Sequence, residues 1–577
     1  MKKILNIYMI TSLIVMLQSC GDFLEVEPIG QPYADKFYRD VNEVQLGLNA
    51  VFSVLAESDF QDNLALIGSG CSDNMTMVTN LRFTDIENLT RLDMDPTNPL
   101  IESFWSVLYK GIFRANQFIY NSREIGDVFV VDTVNNQSEE RIIQRDRVGQ
   151  GKFLRAFFYF NLVRTFGGVP IKPESPNISA TTDNLIQPRS TVTEVYDYIE
   201  RDLREAVIGL SRIGRNRPAE EKGKVEMGAA LSLLAKVIAY RCEVGVGDPR
   251  WQEVKKYTSH IIGTDMQRFT VAELLDGQRL YVPYDLSVEQ AQNDLLFETI
   301  SMDDFLKQEV SLGANGYQLN PSYNSLWTLG SDFSEEMIFE VNHAITELNQ
   351  NLGTSFYNYF GNSNVLQPIA RFPKDFSGDA RVLSSIGVQV EVVFGRVVGK
   401  PDGGGYGGLT EPEQTANNKW YVWNADRPVS ANDNPQNLKL MRYAEVLLWH
   451  AEALNETGNP ILATDFLNQL RSRARGIVGD HPSFNDPSFN LDYTAAGYID
   501  TRARIWRDRR AELCFEFDRY YDLMRTGQAT EAYANVEILD NAQFYSKNFV
   551  PGINEVLPIP ASEVRLSNGV VSQNPGY

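Results

Sequence analysis

Gln150 to Pro170 reads QGKFLRAFFYFNLVRTFGGVP, and its spacing decides the fold class. Phe153, Ala156, Phe157, Phe160 and Val163 recur at intervals of three and four residues, so a helix would line them along one stripe that must be buried. Gly167 and Gly168 permit the left-handed turn that closes a helix, and Pro170 blocks its continuation. The same grammar recurs outward from this segment. Thr191-Val192-Thr193-Glu194 is a capping box ahead of an apolar-periodic run to Leu210. Asn459-Pro460 supplies a cap and a first-turn proline before a helix running to about Arg475.

Two helix pairs resemble each other. Leu234 to Tyr240 is followed by a loop and Trp251 to Ile262; Tyr443 to Trp449 is followed by a turn at 455–459 and Ile461 to Arg475. Alanines at close crossings and short turns between antiparallel helices mark tetratricopeptide-like units, although a generic helical hairpin has the same pattern. The expected fold is therefore mostly α. It is a tetratricopeptide-like helical-hairpin scaffold, over about 36–265 and 437–530, with a large loop-rich insertion over about 266–436 that forms the ligand face and a C-terminal extension at 531–577. The insertion is rich in Gly, Asn, Ser, Pro and aromatics, among them Tyr317, Tyr323, Trp327, Tyr406, Trp420, Tyr421 and Trp423. Such rings either stack on the apolar faces of sugars or fill a satellite core beneath long loops.

The 577 residues carry 53 Lys+Arg against 75 Asp+Glu, a net charge of −22. That field repels a polyanion, so a nucleic-acid partner is excluded, whereas a neutral ligand is untouched by it. The first residues, MKKILNIYMITSLIVMLQSC, have the parts of an export signal: Lys2 and Lys3, an apolar run from Ile4 to Leu17, then Gln18-Ser19 before Cys20. Residues 1–19 are expected to be the lipoprotein signal peptide and 20–35 the lipid anchor and tether, with Cys20 lipidated. A cleaved signal beside an incidental cysteine is the alternative. Cys71, Cys242 and Cys514 make no disulfide framework, and Cys242 and Cys514 are expected inside helices as small apolar residues.

Catalytic patterns are scarce. His260, His343, His450 and His481 have no metal-ligand spacing, and no zincin, nucleophile-elbow or phosphate-loop motif occurs. Gly403, Gly405 and Gly408 form a G-x-G-x-x-G that opens no helix, so no dinucleotide site is expected. Glu512 and Glu516 are the best carboxylate pair. They share a helical stripe with Arg509 and Arg519, which reads as an ion-pair ladder, not an acid and a base. No enzyme activity, cofactor or metal is expected.

Four stretches together resemble the SusD/RagB family of outer-membrane lipoproteins of the Bacteroidetes type. KFLRAFFYFNLVRTFGGVP, with Arg155, is similar to that family's R-F-L-R-A-x-x-Y-F-x-L-V-x-x-F-G-x-V-P. Arg442 opens RYAEVLLWHAEALNETG, and Arg509 to Gly527 resembles E-R-R-x-E-L-x-x-E-G-x-R-x-x-D-L-x-R-x-G. Leu557-Pro558-Ile559-Pro560 and Gln573-Asn574-Pro575-Gly576-Tyr577 resemble the closing L-P-I-P and Q-N-P-G-Y. Asp508 departs where the family prefers Glu, and Phe517 where it prefers Gly.

The resemblance implies a single SusD-like fold over 36–577. It implies a surface-exposed outer-membrane lipoprotein that binds oligosaccharide or polysaccharide and delivers it to a TonB-dependent SusC-like barrel. Peptide binding on the same architecture is one alternative, and a secreted glycan-degrading enzyme another. Asp22, Glu25 and Glu27 after Cys20 look like the acidic flank that accompanies surface display. By position, Asp73, Asn74, Arg82, Tyr323, Trp327 and Trp420 are the candidate ligand-binding residues, although Asp73 and Asn74 also suit an ordinary turn.

Overall fold

The computed structural model describes residues 38, 41–77, 83–124, 139–174, 186–210, 222–245, 247–263, 317–343, 435–475, 491–534 and 547–577, with short pieces within 269–274, 309–310, 366–368, 375–398, 415–419 and 538–545. The export signal, Cys20, Arg82, Tyr406, Trp420, Tyr421, Trp423 and the glycine cluster at 403–408 lie outside the described residues.

The scaffold is a stack of antiparallel helices. In chain order its members are α1 (Val41–Phe52), α2 (Ser58–Ala65), α3 (Pro99–Glu124), α4 (Glu139–Phe166), α5 (Val192–Gly209), α6 (Met227–Arg241) and α7 (Arg250–Ile262). After the insertion come α8 (Tyr443–Glu456), α9 (Pro460–Arg475), α10 (Tyr498–Glu512) and α11 (Arg519–Arg525). From α3 to α9 each helix packs on the next, and α7 packs directly on α8 across the insertion. Thr258 Oγ1 and His450 Nδ1 meet at 2.8 Å across that joint, and Lys236 pairs with Glu445 at 3.0 Å. The two hairpins read from the sequence are thus consecutive members of one stack.

The local signals act as expected. Thr191 and Glu194 complete the capping box of α5, and Gly167 ends α4 with a φ of 75°. At the α3/α4 crossing each helix offers a glycine to a ring of the other. A Cβ on Gly111 would lie 2.5 Å from Phe158, and one on Gly151 would lie 2.6 Å from Phe118. The single stripe read on α4 is corrected: Leu154, Phe158, Tyr159 and Leu162 are buried as well as the expected face. This helix is enclosed on every side because α3 and α5 both cover it. Its polar Arg155 is then satisfied internally, with Asp202 at 2.7 and 2.6 Å and Asn116 at 2.9 Å.

The closing motif fastens the end of α4. Leu557 N donates to the Thr165 carbonyl at 2.7 Å, and Asn574 Nδ2 to those of Phe166 and Leu557 at 3.0 and 2.7 Å. These bonds satisfy carbonyls that a helix end leaves open.

Two expectations near residues 505–527 are corrected. The chain there is not one helix: α10 stops at Glu512, and Phe515 and Phe517 take φ of 63° and 70° before α11 starts. Cys514 lies in that turn and Cys242 caps the end of α6, so neither is inside a helix, although both are buried. The positive φ at Phe517 accounts for the glycine the resemblance led us to expect there, since glycine alone adopts it without strain. The Phe517 carbonyl also presses on Gly68, where a Cβ would lie 1.9 Å away.

Candidate ligand-binding site

Among the described residues, the insertion contributes strands that pair antiparallel with strands on either side of it. β1 (Met75–Met77) pairs with β3 (Leu366–Pro368), and β2 (Met337–Val341) with β4 (Leu438–Arg442). The candidate residues within these parts converge on the C-terminal end of α10 from two sides.

On one side the chain leaves a π-helical turn, Leu66–Gly70, and enters the Asp73-Asn74 bend. The buried Lys547 ammonium donates to the Gly70 carbonyl at 2.6 Å and also to that of Ser72, and Ser72 Oγ donates to Ser69 at 2.6 Å. Burial lowers the Lys547 ammonium to about 8. Asp73 is only 6% exposed. Its carboxylate accepts both Arg519 Nε at 2.8 Å and Nη2 at 2.9 Å, with Arg510 at 3.2 Å. Burial alone would raise its pKa, but Arg519 and Arg510 outweigh that and hold it well below the usual carboxylate range. Asn74 Oδ1 accepts Arg510 Nε at 2.7 Å. Asp73 and Asn74 therefore act on the frame: both are buried and bound to arginines.

On the other side Tyr323 caps the 3-10 turn Asn324–Trp327 and meets the buried Trp327 edge to face, with centroids 6.2 Å apart and planes at 67°. Tyr323 is fully buried, and its hydroxyl donates to the Glu512 carbonyl at 3.1 Å. Lys419 Nζ donates to the same carbonyl at 3.0 Å and to Glu516 at 2.6 Å, and it sits 4.6 Å from the Trp327 ring centre. A cation this close to a ring face is held by the ring quadrupole as well as by its carboxylate. Lys419 thereby ties the chain just before Trp420 to the end of α10.

Between the two sides is an ion network that sequence reasoning only half anticipated. Glu512, fully buried, accepts Arg442 at 2.8 Å and also Arg473, while Arg381 stands 3.6 Å away. Glu516 takes two more bonds from Arg442, at 2.7 and 2.9 Å. Burial would raise both carboxyls, yet the arginines and Lys419 lower both, Glu512 to about 2. Neither can stay protonated at neutral pH to serve as an acid. The expected i,i+4 ladder is replaced by pairs to other elements. Arg509 on α10 meets Glu445 and Asp522, and Arg519 on α11 meets Asp73, because the break after Glu512 leaves Glu516 and Arg519 outside α10. Arg510, Lys419 and Lys547 were not singled out in the sequence; isolated basic residues carry no periodicity that would mark them.

Among the described residues no group of three or more His, Cys, Asp or Glu is placed to hold a metal ion, and no helix is long and apolar enough to cross a membrane.

Comparison with known proteins gives a consistent result. Residues 376–577 match the SusD family model, and residues 22–238 match a model described as starch-binding associating with outer membrane. The chain is 24% identical to SusD-like protein P2 of Formosa agariphila over 586 residues, 99% of each chain. It is also 24% identical to SusD-like protein P38 of the same organism, over 92% of this chain and 93% of the other. Among solved structures, a laminarin binding SusD-like protein superposes with a TM-score of 0.66 at 23% identity, covering 94% of this chain and all of that one. Surface glycan-binding protein A from Bacteroides thetaiotaomicron, solved with laminarihexaose, gives 0.64 at 18% identity, covering 92% and 99%. These neighbours share the tetratricopeptide-like helical fold, and the matched proteins are named as SusD-like or binding proteins, not as enzymes.

Proposed function

Because the chain belongs to the SusD family, we propose that it is a surface lipoprotein, anchored through Cys20, that binds oligosaccharide or polysaccharide and hands it to a TonB-dependent SusC-like barrel in the outer membrane. Its work is capture, not bond breaking. The observation that carries this reading is the convergence of both candidate segments on the end of α10, where arginines fix the Asp73-Asn74 bend and the Glu512 carbonyl fixes Tyr323 and Lys419. A rigid base of this kind suits a flat, neutral ligand, because little side-chain freedom is lost on binding. Ligand contact falls to Trp420 and Arg82, with Asp73, Asn74, Tyr323 and the buried Trp327 positioning the neighbouring chain. The continuous packing of α7 on α8 supports one SusD-like unit over 36–577.

The test is a panel of glycans and peptides offered to the purified chain, with binding and newly formed reducing ends both measured. Trp420→Ala is expected to weaken glycan binding about tenfold or more, at unchanged helix content. Sugar release that disappears when one carboxylate is changed overturns the binding-only reading. Tight peptide binding without glycan binding overturns the choice of ligand.

A further inference from the structure

The arginines of α9 and α10 divide into two groups. Arg471, Arg473, Arg475, Arg502, Arg509 and Arg510 each meet a carboxylate at 3.3 Å or less. Arg504 and Arg507 meet none among the described residues, although Asp500 stands one helical turn before Arg504. Acids are not scarce, since the chain holds 75 of them against 53 bases. The nearby ones are already engaged: Asp508 with Arg381 and Arg471, Asp492 with Arg475, and Asp375 with Arg510. Asp379 pairs with Arg381 at 2.7 Å; Arg507 is near enough to help lower this carboxyl but forms no ion pair with it.

Both side chains are held in place by rings. Arg504 Nη1 donates to the Thr494 carbonyl at 2.7 Å, and its guanidinium carbon lies 4.8 Å from the centre of the Tyr493 ring. Arg507 Nη1 donates to the Tyr493 hydroxyl at 3.5 Å, with its guanidinium 5.0 Å from the centre of the buried Phe376 ring. Arg471 also lies against Tyr493, at 4.0 Å. A guanidinium stacked on a ring keeps its edge donors, five in all, free for an anion. Arg504 and Arg507 each use one of theirs among the described residues. Arg507 is exposed and Arg504 is half-buried, so the pair lies at the surface. Residues three apart on a helix have Cβ atoms about 5–6 Å from each other, close enough for two forks to converge on one carboxylate or sulfate.

The local charge favours such a group. Asp379 and Asp508 offset Arg381 and Arg471, which leaves the charges of Arg504 and Arg507 uncompensated. The negative field of the whole chain repels a dense polyanion, but it is screened over about 8 Å in physiological salt, so an anion that touches the pair meets the arginines first. Arg510 follows Arg507 by three residues, about 4.5 Å along the helix axis, and donates to Asn74 at 2.7 Å. The pair therefore stands beside the Asp73-Asn74 bend.

We propose that Arg504 and Arg507 form an anion subsite, which takes a carboxylate or sulfate substituent of a glycan whose rings lie on the neighbouring ligand face. The proposal rests on the glycan reading above and names a class within it: an acidic polysaccharide with spaced charges.

The experiment uses the full chain and titration calorimetry at low and physiological salt. The probes are tetragalacturonate, a κ-carrageenan hexasaccharide and neutral laminarihexaose, with phosphatidylglycerol vesicles as a fourth. The double variant Arg504→Gln, Arg507→Gln is expected to weaken the acidic sugar that binds by about tenfold or more and to flatten its salt dependence, at unchanged laminarihexaose affinity and helix content. Arg504→Lys, Arg507→Lys keeps the charge but loses the fork, and is expected to weaken it about threefold. An acidic sugar weakened no more than laminarihexaose by the Gln pair overturns the subsite. So does a wild-type chain that binds laminarihexaose and neither acidic sugar, which leaves the proposed function standing. Vesicle binding that disappears in the Gln pair, without acidic-sugar binding, overturns the choice of a glycan in favour of a lipid headgroup. Failure to bind any of the three sugars overturns both the subsite and the glycan reading.

Discussion

Replacing Glu512 with Gln tests whether the end of α10 is held by charge. The side chain keeps its shape, but Arg442 and Arg473 lose the carboxylate they share and Arg381 loses its neighbour at 3.6 Å. Two routes to the cost agree. Breaking a buried ion pair from one side costs about 3–5 kcal/mol, and the low end applies because Arg442 keeps Glu516 and Glu336 while Arg473 keeps Glu336. Independently, lowering the carboxyl from 4.5 to about 2 corresponds to about 3 kcal/mol of stabilisation of the ionised form. The sign follows from linkage. A carboxyl whose folded pKa is depressed contributes in full above its unfolded pKa, and the contribution is lost as pH falls from 4.5 toward 2. Chemical denaturation followed by circular dichroism should therefore show the variant about 3 kcal/mol less stable at pH 7, with the gap closing below pH 4.5 as the wild-type carboxyl becomes protonated. The contacts of Tyr323 and Lys419 go to the Glu512 carbonyl, so folded variant should keep its glycan affinity. A gap under about 1 kcal/mol, or one that does not change with pH, refutes the reasoning.

Other consequences are simpler to read. Phe517→Gly relieves a left-handed backbone, worth about 1–2 kcal/mol, but deletes a buried ring worth about 3–5, so denaturation should show a net loss of about 2 kcal/mol. Gly68→Ala should fail to yield soluble folded chain, since its Cβ would overlap the Phe517 carbonyl, and normal expression with native circular dichroism would contradict the packing. His450 is buried neutral, its pKa lowered to about 4 first by burial and then by Lys255. The unfolded chain binds the extra proton first, so this histidine makes stability fall as pH drops from 6.5 toward 4. A His450→Gln variant should flatten that slope by about 3 kcal/mol across the window in pH-dependent denaturation.

Much of the scaffold was legible because its signals are local. A capping box at Thr191, a proline at 460 and a glycine at 167 each state a boundary through the backbone geometry of a few neighbouring residues. The break after Glu512 was not legible, because Phe515 and Phe517 are held at positive φ by tertiary contacts such as the one at Gly68, against their own preference. The same limit applied to the site. Asp73, Asn74 and Tyr323 could be picked out by residue type and position, yet their bonds to Arg510, Arg519 and the Glu512 carbonyl span hundreds of residues and leave no periodicity to read.

Helix periodicity, capping chemistry and the order of four motifs, all properties of neighbouring residues, were enough to assign a helical-hairpin scaffold of the SusD type from the chain alone. Which carboxylates are locked by which arginines depended on side chains brought together from the Asp73 bend, β4, α10 and α11. Pairing of buried charges is decided by distance in space, and only the folded stack of helices supplies that distance.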